Sequence, residues 1–493
     1  MHWQDLPAFM VILTLIAAFL SPVFARWKVE ISGYLALFIT GFNFLMAILL
    51  AKTVVETGSF SVYMGDWMPP WGIELRINEL SMLMLLVITG FSFMIVLYSL
   101  GMIKHEITRR VTGWYYTAYM LAVAGMMGMV ISHDIFNLYV MLEVVGICSC
   151  ALVVARGNKE STEAALKYLL LATIGSGFIL FAVGMLYMVT GNLNFDYVAR
   201  ELVAVKAHSP SLLWASVSFF VVGFGLKSAL FPLHLWLPDA HSAAPSPSSA
   251  LLSSLVVKVY VVALWKLLYR VYGVEFLWET MLPVFLLILS SLAILVGSFF
   301  AYTQIDIKRR LAYSTVAQIG YIFLGFSFGT SWGIMAAVFH IVLHAFMKAS
   351  LFMAAGSIYR QTGLKKVTLF YGIGTTMPVT MGAFTVASLS MVGIPFLGGF
   401  ITKYGLAMGS LEADKGLFIG LVVLSGLLNA SYYFPILRQA YFEKPRRSGL
   451  ALDRIPATTL FSFSVLSMGI IYLGLFPWRA IDFMEKIATS FLN

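Results

Sequence analysis

Cysteine is nearly absent. Cys148 and Cys150 are the only two in 493 residues, and two thiols in an apolar stretch cannot supply the four thiolates of an iron–sulfur cluster; both read as packing residues. Charge is scarce as well, 11% of residues against roughly 25% in a soluble domain. With 60% of residues hydrophobic, one soluble core cannot absorb the apolar surface. No Gly-rich phosphate loop of either usual pattern occurs, and "GIGTTMP" at 372–378 reads as a loop. No basic segment precedes the first apolar run, whose start carries Asp5, so a cleavable leader is not expected and the first span is retained. No residue-level repeat is visible.

What is present is a succession of apolar stretches. A hydrocarbon core about 30 Å thick takes roughly 20 apolar residues per helix, and the chain offers fourteen such spans: 7–24, 32–51, 79–101, 113–131, 135–155, 165–189, 213–235, 248–269, 281–301, 311–328, 332–357, 376–408, 416–437 and 457–476. The fold class expected is an all-α polytopic membrane protein. The segments 213–247 and 376–408 are long and contain helix breakers. "WRAIDFMEKIATSFLN" at the end suits a short interfacial helix.

Loops after odd-numbered spans hold 18 Lys and Arg, and loops after even-numbered spans hold 6. By the positive-inside rule the odd loops are cytoplasmic and both termini lie outside. The net charge of +9 therefore reflects topology, and no nucleic-acid partner is implied. Six basic residues remain within spans, and all are lysines: Lys167, Lys227, Lys258, Lys266, Lys348 and Lys403. Arginine keeps its charge almost anywhere, whereas buried lysine can shed its proton. Glu143 is the one acidic residue deep within a span.

Each deep charge costs on the order of 2.5–3.5 kcal/mol to insert, which is hard to credit without a purpose for Glu143, Lys227, Lys258, Lys348 and Lys403. Lysines near span ends can snorkel to headgroups; that is the expectation for Lys266, beside Arg270, and an equal alternative for Lys167. "FHIVLHAFMKASLF" puts His340, His344 and Lys348 on one helical stripe, a candidate proton relay. A metal site is not expected there for want of a nearby carboxylate or soft ligand. His234, Asp239 and His241 lie near the break after Lys227, where Pro232, Pro238, Pro245 and Pro247 remove backbone donors. Pro395, Gly398 and Gly399 precede Lys403 in the same manner. Two interrupted helices at corresponding places in two halves point to an inverted-repeat transporter.

"FGLKSALFPLHLWLPDAHSAAPSPSSALLSSLVVK" resembles a signature of the antiporter-like subunits shared by respiratory complex I, Mrp-type multisubunit sodium/proton antiporters and energy-converting membrane-bound hydrogenases. "DIKRRLAYSTVAQIGYI", "HIVLHAFMKASLFMAAGSI" and "GIPFLGGFITKY" resemble its other signatures, in order, so that the resemblance covers residues 75–410. It implies fourteen helices in a prokaryotic cell membrane, with helices four to eight and nine to thirteen as inverted repeats, each with one broken helix. The corresponding divisions are 1–110, 111–270, 278–440 and 455–493. It further implies a glutamate–lysine pair at Glu143 and Lys227, a central Lys258, a link at His344 and Lys348, and a terminal Lys403. The chain departs from the family's Lys-x-Gly-x-Tyr pattern, reading Lys258-Val259-Tyr260, and some members carry glutamate where Lys403 stands. The short C-terminal end resembles the medium-sized type.

Three functions stay open at this point. One is a proton- or cation-translocating subunit of a larger complex, an antiporter or a redox-driven pump, with no cofactor in this chain and other membrane subunits as partners. The second is a stand-alone solute transporter, against which the polar residues run laterally and do not converge on one pocket. The third is a structural subunit whose lysines only bind neighbouring subunits or anionic membrane lipids, against which stands the pairing of Glu143 with several deep lysines. Sodium needs clustered oxygen ligands, so protons are expected here and any sodium path elsewhere. If the complex is an oxidoreductase, its redox chemistry belongs to the partners.

Overall fold

The computed structural model describes residues 3–444 and 455–492. Apolar runs with no water to bond their backbone must close their hydrogen bonds within helices, and the longer elements follow that rule. They are α1 (Leu6–Trp27), α2 (Val29–Thr57), β1 (Phe60–Tyr63), β2 (Glu74–Ile77), α3 (Glu79–Met102), α4 (Thr112–Ile131), α5 (Ile135–Val154), α6 (Lys159–Thr190), α7 (Phe195–His208), α8 (Pro210–Ser228), α9 (Leu237–Ala243) and α10 (Ser246–Tyr272). The second half runs α11 (Leu282–Thr303), α12 (Ile307–Phe328), α13 (Ser331–Thr362), α14 (Pro378–Val392), α15 (Gly398–Glu412), α16 (Leu417–Phe442), α17 (Ala457–Leu475) and α18 (Trp478–Leu492).

Among the described residues, 13 helices are long and apolar enough to cross a membrane; α14 and α15, end to end, make the remaining expected passage. Side chains cap several of these helices at their first turn. Asn78 accepts from the Ser81 amide, Asp134 from Asn137, Asp306 from Arg309 and Thr330 from Gly333, satisfying donors that the helix start leaves free. The centre of the bundle is α10, α12, α13 and α4, whose apolar windows are almost wholly buried, whereas α1, α2, α16 and α17 lie at the periphery.

Both expected breaks are present. The seventh passage stops at Ser228 and resumes at Leu237, and the indole of Trp236 donates to the Leu226 carbonyl at 2.8 Å. Pro232 lies in this break, but Pro238 does not interrupt a helix: it sits in the first turn of α9, where a missing N–H costs nothing. Pro245 and Pro247 likewise stand at the start of α10. The other break lies between α14 and α15 and contains Pro395, with Gly393 at φ +92, a left-handed conformation that favours glycine. Asn429 donates to the Met391 carbonyl at 2.8 Å, satisfying one orphan group of the α14 end.

Two elements are additional to the expected spans. The loop after α2 folds as an antiparallel hairpin with Phe60 opposite Ile77, and the loop after α6 holds amphipathic α7. Helix α18 forms as expected and docks by Phe491 against Tyr269 and Phe326.

Candidate functional site

The membrane helices carry the lysines into one lateral row. On α5, Glu143 accepts a hydrogen bond from Lys227 Nζ at 3.1 Å and another from the Ser176 hydroxyl. Lys227 occupies the last turn of α8, where the unpaired carbonyl end of a helix favours a cation. Its side chain is 1% exposed and Glu143 is 29% exposed, so this pair opens to one flank of the chain. A Cβ at Gly146 would lie 3.0 Å from Lys227 Nζ; the ammonium fits because that position is glycine.

The row continues through α10. Lys227 Nζ lies 5.9 Å from the ring centre of Tyr260, two residues beyond Lys258. The wide turn at Leu252–Val256 ends two residues before Lys258, which donates to the Ser253 carbonyl. Ser253 pairs with Thr315 of α12 at 2.8 Å, and the adjacent Ser314 accepts from Lys348 of α13, whose Nζ also donates to the Leu311 carbonyl at 2.8 Å. Serine and threonine hydroxyls, which both give and take hydrogen bonds, thus lie between the two central lysines.

Along α13, His340 and His344 stack with ring centres 5.3 Å apart. The two nitrogens of His344 have no partner among the described residues. His340 Nδ1 lies 3.3 Å from the Thr402 hydroxyl of α15 and its ring 5.5 Å from Tyr321. Lys403 Nζ stands 5.9 Å from the Tyr321 ring centre and donates to the Val392 carbonyl at 2.5 Å. The two terminal lysines therefore share one electrostatic device, an ammonium at the carbonyl end of the first half of a broken helix, although Lys227 belongs to the first half and Lys403 to the second. Gly393 and Gly426 hold the Lys403 ammonium as Gly146 holds that of Lys227. The row ends at Lys403, half-buried.

The secondary residues divide. His241 of α9 is wholly buried against Phe352, both its nitrogens are unpartnered among the described residues, and Lys348, Lys258 and Lys308 lie within electrostatic range. It branches from the row. His234 packs between Phe231 and Tyr313, and Asp239 forms ion pairs with Lys167 at 2.6 Å and Arg309 at 3.2 Å, all three partly exposed. These last residues belong to the odd-loop face. Lys266 does not snorkel. It is 5% exposed and donates to the Val130 and Ser132 carbonyls at 3.2 and 2.5 Å, where α4 ends and its carbonyls lack helical partners.

One site escaped the reading of spans. Glu106, in the connection after α3, is 3% exposed and pairs with Arg156 and, at 3.9 Å, with Lys308. Both its oxygens accept from the Ser246 amide at the start of α10, and Lys308 also donates to the Ala244 carbonyl at 3.0 Å. Burial works to raise the Glu106 carboxyl, but Lys308, Arg156 and the Ser246 bond outweigh it and hold the group below its ordinary value. Lys308, which falls between the expected spans 281–301 and 311–328, is buried in the first turn of α12.

Residues 132–429 match the family described as NADH:quinone oxidoreductase/Mrp antiporter, TM, and residues 67–110 match NADH-Ubiquinone oxidoreductase (complex I), chain 5 N-terminus. The chain is similar to NADH-quinone oxidoreductase subunit N of Desulforudis audaxviator, 38% identical over 97% of both chains. It is 26% identical to a Na(+)/H(+) antiporter subunit of Bacillus subtilis over 90% of this chain and 89% of that one. Among solved structures, a chain of the archaeal membrane-bound sulfane sulfur reductase superposes with a TM-score of 0.91 at 29% identity, covering 99% of this chain and 98% of that one. A chain of the Mrp complex from Dietzia sp. DQ12-45-1b shares the fold, with a TM-score of 0.88 at 20% identity over 100% and 98% of the chains.

Proposed function

Since this chain belongs to the NADH:quinone oxidoreductase/Mrp antiporter transmembrane family, we propose that it translocates protons as one membrane subunit of a multisubunit complex, along the row from Glu143 to Lys403. The observation that carries the reading is the pattern of exposure. Lys227, Lys258, His340, His344 and Lys348 are all buried, while Glu143 and Lys403 at the two ends reach the surface of the chain at membrane depth. A row closed in the middle and open at both flanks suits transfer between neighbouring subunits better than a solute pocket.

The mechanism is electrostatic. With Glu143 ionised beside it, Lys227 holds its proton because the opposite charge offsets desolvation. A neighbouring subunit or an incoming ion that draws Glu143 away leaves a buried cation without compensation, and its proton moves on through Lys258, Lys348 and His344 toward Lys403. Packed helices stand 8–10 Å apart, so the steps between helices run through hydroxyls and water. The repeats take the bounds 111–270 and 278–440, flanked by 1–110 and 455–493. The odd loops face the cytoplasm of a prokaryotic cell, and both termini lie outside.

The relatives named above include a component of a redox enzyme and a component of a sodium/proton antiporter, and the same lysines serve either driver. Gentle purification from the native membrane, with mass spectrometry of what accompanies the chain, separates the two. Iron–sulfur or nickel–iron partners mean a redox pump, and small membrane subunits alone mean an antiporter. Lys227→Ala is expected to abolish coupled proton transport in a complex that still assembles; normal transport by that variant refutes the relay.

A further inference from the structure

A second set of buried titratable groups lies away from the row, on the even-loop face. Lys266 stands eight residues after Lys258 on α10, about 12 Å farther along the axis at 1.5 Å per residue. One of the carbonyls it holds is that of Ser132, and the next residue, His133, is 3% exposed. The His133 ring places Nε2 3.1 Å from Asp196 Oδ1 at the start of α7, while Nδ1 has no partner among the described residues. Asp196, 45% exposed, also accepts from Arg76 Nη1 at 2.8 Å. Lys266 and His133 line one polar cavity of about 70 Å³ with the charged side chains of Arg76, Glu79 and Arg270 and with Ser59, Asn78 and Ser490. Such a cavity has room for a few waters bonded to those groups.

We infer that His133, oriented by Asp196, is the proton-release group of the even-loop face, taking protons from the Lys266 cavity at Nδ1 and giving them to outer water from Nε2. A neutral ring hydrogen-bonded to Asp196 through Nε2–H leaves Nδ1 free to accept. One proton arrives at Nδ1, the Nε2 proton leaves past Asp196, and passage of the remaining proton from Nδ1 to Nε2 through water restores the first tautomer. No other group changes charge over the cycle.

The surroundings of His133 favour release. Arg76 Nη1 from β2 stands 3.4 Å from Nε2, Lys266 from α10 and Glu74 from β2 act on the ring electrostatically, and Phe195 of α7 packs at 5.0 Å. Burial first, and then the Lys266 charge, hold His133 below its ordinary value against the opposing pull of Asp196. Asp196 is held at about 2, first by the hydrogen bond from His133, so it serves as a counter-charge and does not retain the proton at neutral pH. Here α7 and the β-hairpin acquire a role: they carry Asp196 and Arg76 to the ring.

This inference rests on proton translocation and on the outward orientation of the even loops. The test uses the intact complex in proteoliposomes, comparing wild type, Lys227→Ala, His133→Gln, His133→Ala and Asp196→Asn. His133→Gln keeps a hydrogen bond but cannot titrate, and it should slow translocation about tenfold or more, with a changed dependence on outer pH. His133→Ala should recover rate when imidazole is supplied on the even-loop side. Wild-type rate and pH profile in His133→Gln, beside an inactive Lys227→Ala, would overturn the release group and leave the row intact. A His133→Ala loss that imidazole does not relieve would also overturn it, marking His133 as a packing residue. A wild-type complex that moves no protons would remove the functional reading itself.

Discussion

Shortening Glu143 by one methylene tests the Glu143–Lys227 pair in a graded way. At the observed 3.1 Å, and with an effective dielectric of about 20, the attraction is roughly 5.4 kcal/mol. Glu143→Asp withdraws the carboxylate by about 1.5 Å and leaves roughly 3.6 kcal/mol by the same relation. The difference of about 1.8 kcal/mol corresponds to a factor of about 20 in the loading of Lys227. Glu143→Gln removes the ionic attraction altogether while keeping groups that can bond Ser176 and Lys227. The expected order of transport is therefore wild type, then Asp about 20-fold slower, then Gln with none measurable. Dye quenching in inverted vesicles reads the rates, with native gels to show equal assembly. Wild-type transport by Glu143→Gln, or Asp slower than Gln, refutes the reasoning.

Gly146→Val pushes a side chain against the Lys227 ammonium, which a Cβ alone would meet at 3.0 Å; transport should fall while assembly holds, and unchanged transport in vesicles would contradict the glycine's role. Glu106 is held below its ordinary value, so its stabilisation is present above about pH 4.3, the unfolded value, and is lost as pH falls through the lower folded value. Glu106→Gln should cost about 3 kcal/mol at pH 7, since it leaves buried cations partly uncompensated, and should flatten the acid limb of Tm against pH; parallel curves for the two proteins would contradict this. Lys266→Met leaves the Ser132 carbonyl without its donor, whereas Val130 keeps the Ser81 hydroxyl, at about 1–3 kcal/mol; an unchanged thermal midpoint would restore the snorkelling expectation.

Much of this architecture is legible in the chain because the membrane permits few solutions. Apolar length marks the passages, and lysine without arginine marks the row. Glu143 and Lys227 could be paired only through a family resemblance, since nothing in their spacing of 84 residues says that α5 and α8 meet. Glu106 escaped because its surroundings, Arg156, Lys308 and the start of α10, come from three distant connections. Lys266 misled because distance to a span end measures depth, whereas the α4 carbonyls that hold it depend on packing. The glycines at 146, 393 and 426 look like general helix-packing residues until the ammonium groups are seen against them. Pro238 and Pro247 show the same limit, as proline both breaks a helix and starts one.

The central claim is that one continuous row carries the proton, and its middle is the place to cut. Lys348 of α13 bonds Ser314 and Leu311 of α12, next to the Ser253–Thr315 contact through which the first half meets the second, far from both flanks. Proton translocation by the purified complex carrying Lys348→Met, reconstituted beside wild type at equal subunit content, measures the claim directly. Loss of translocation with partner subunits still bound is the predicted result. Translocation at the wild-type rate would show that protons cross without passing from Lys258 to Lys403, and the account would fail.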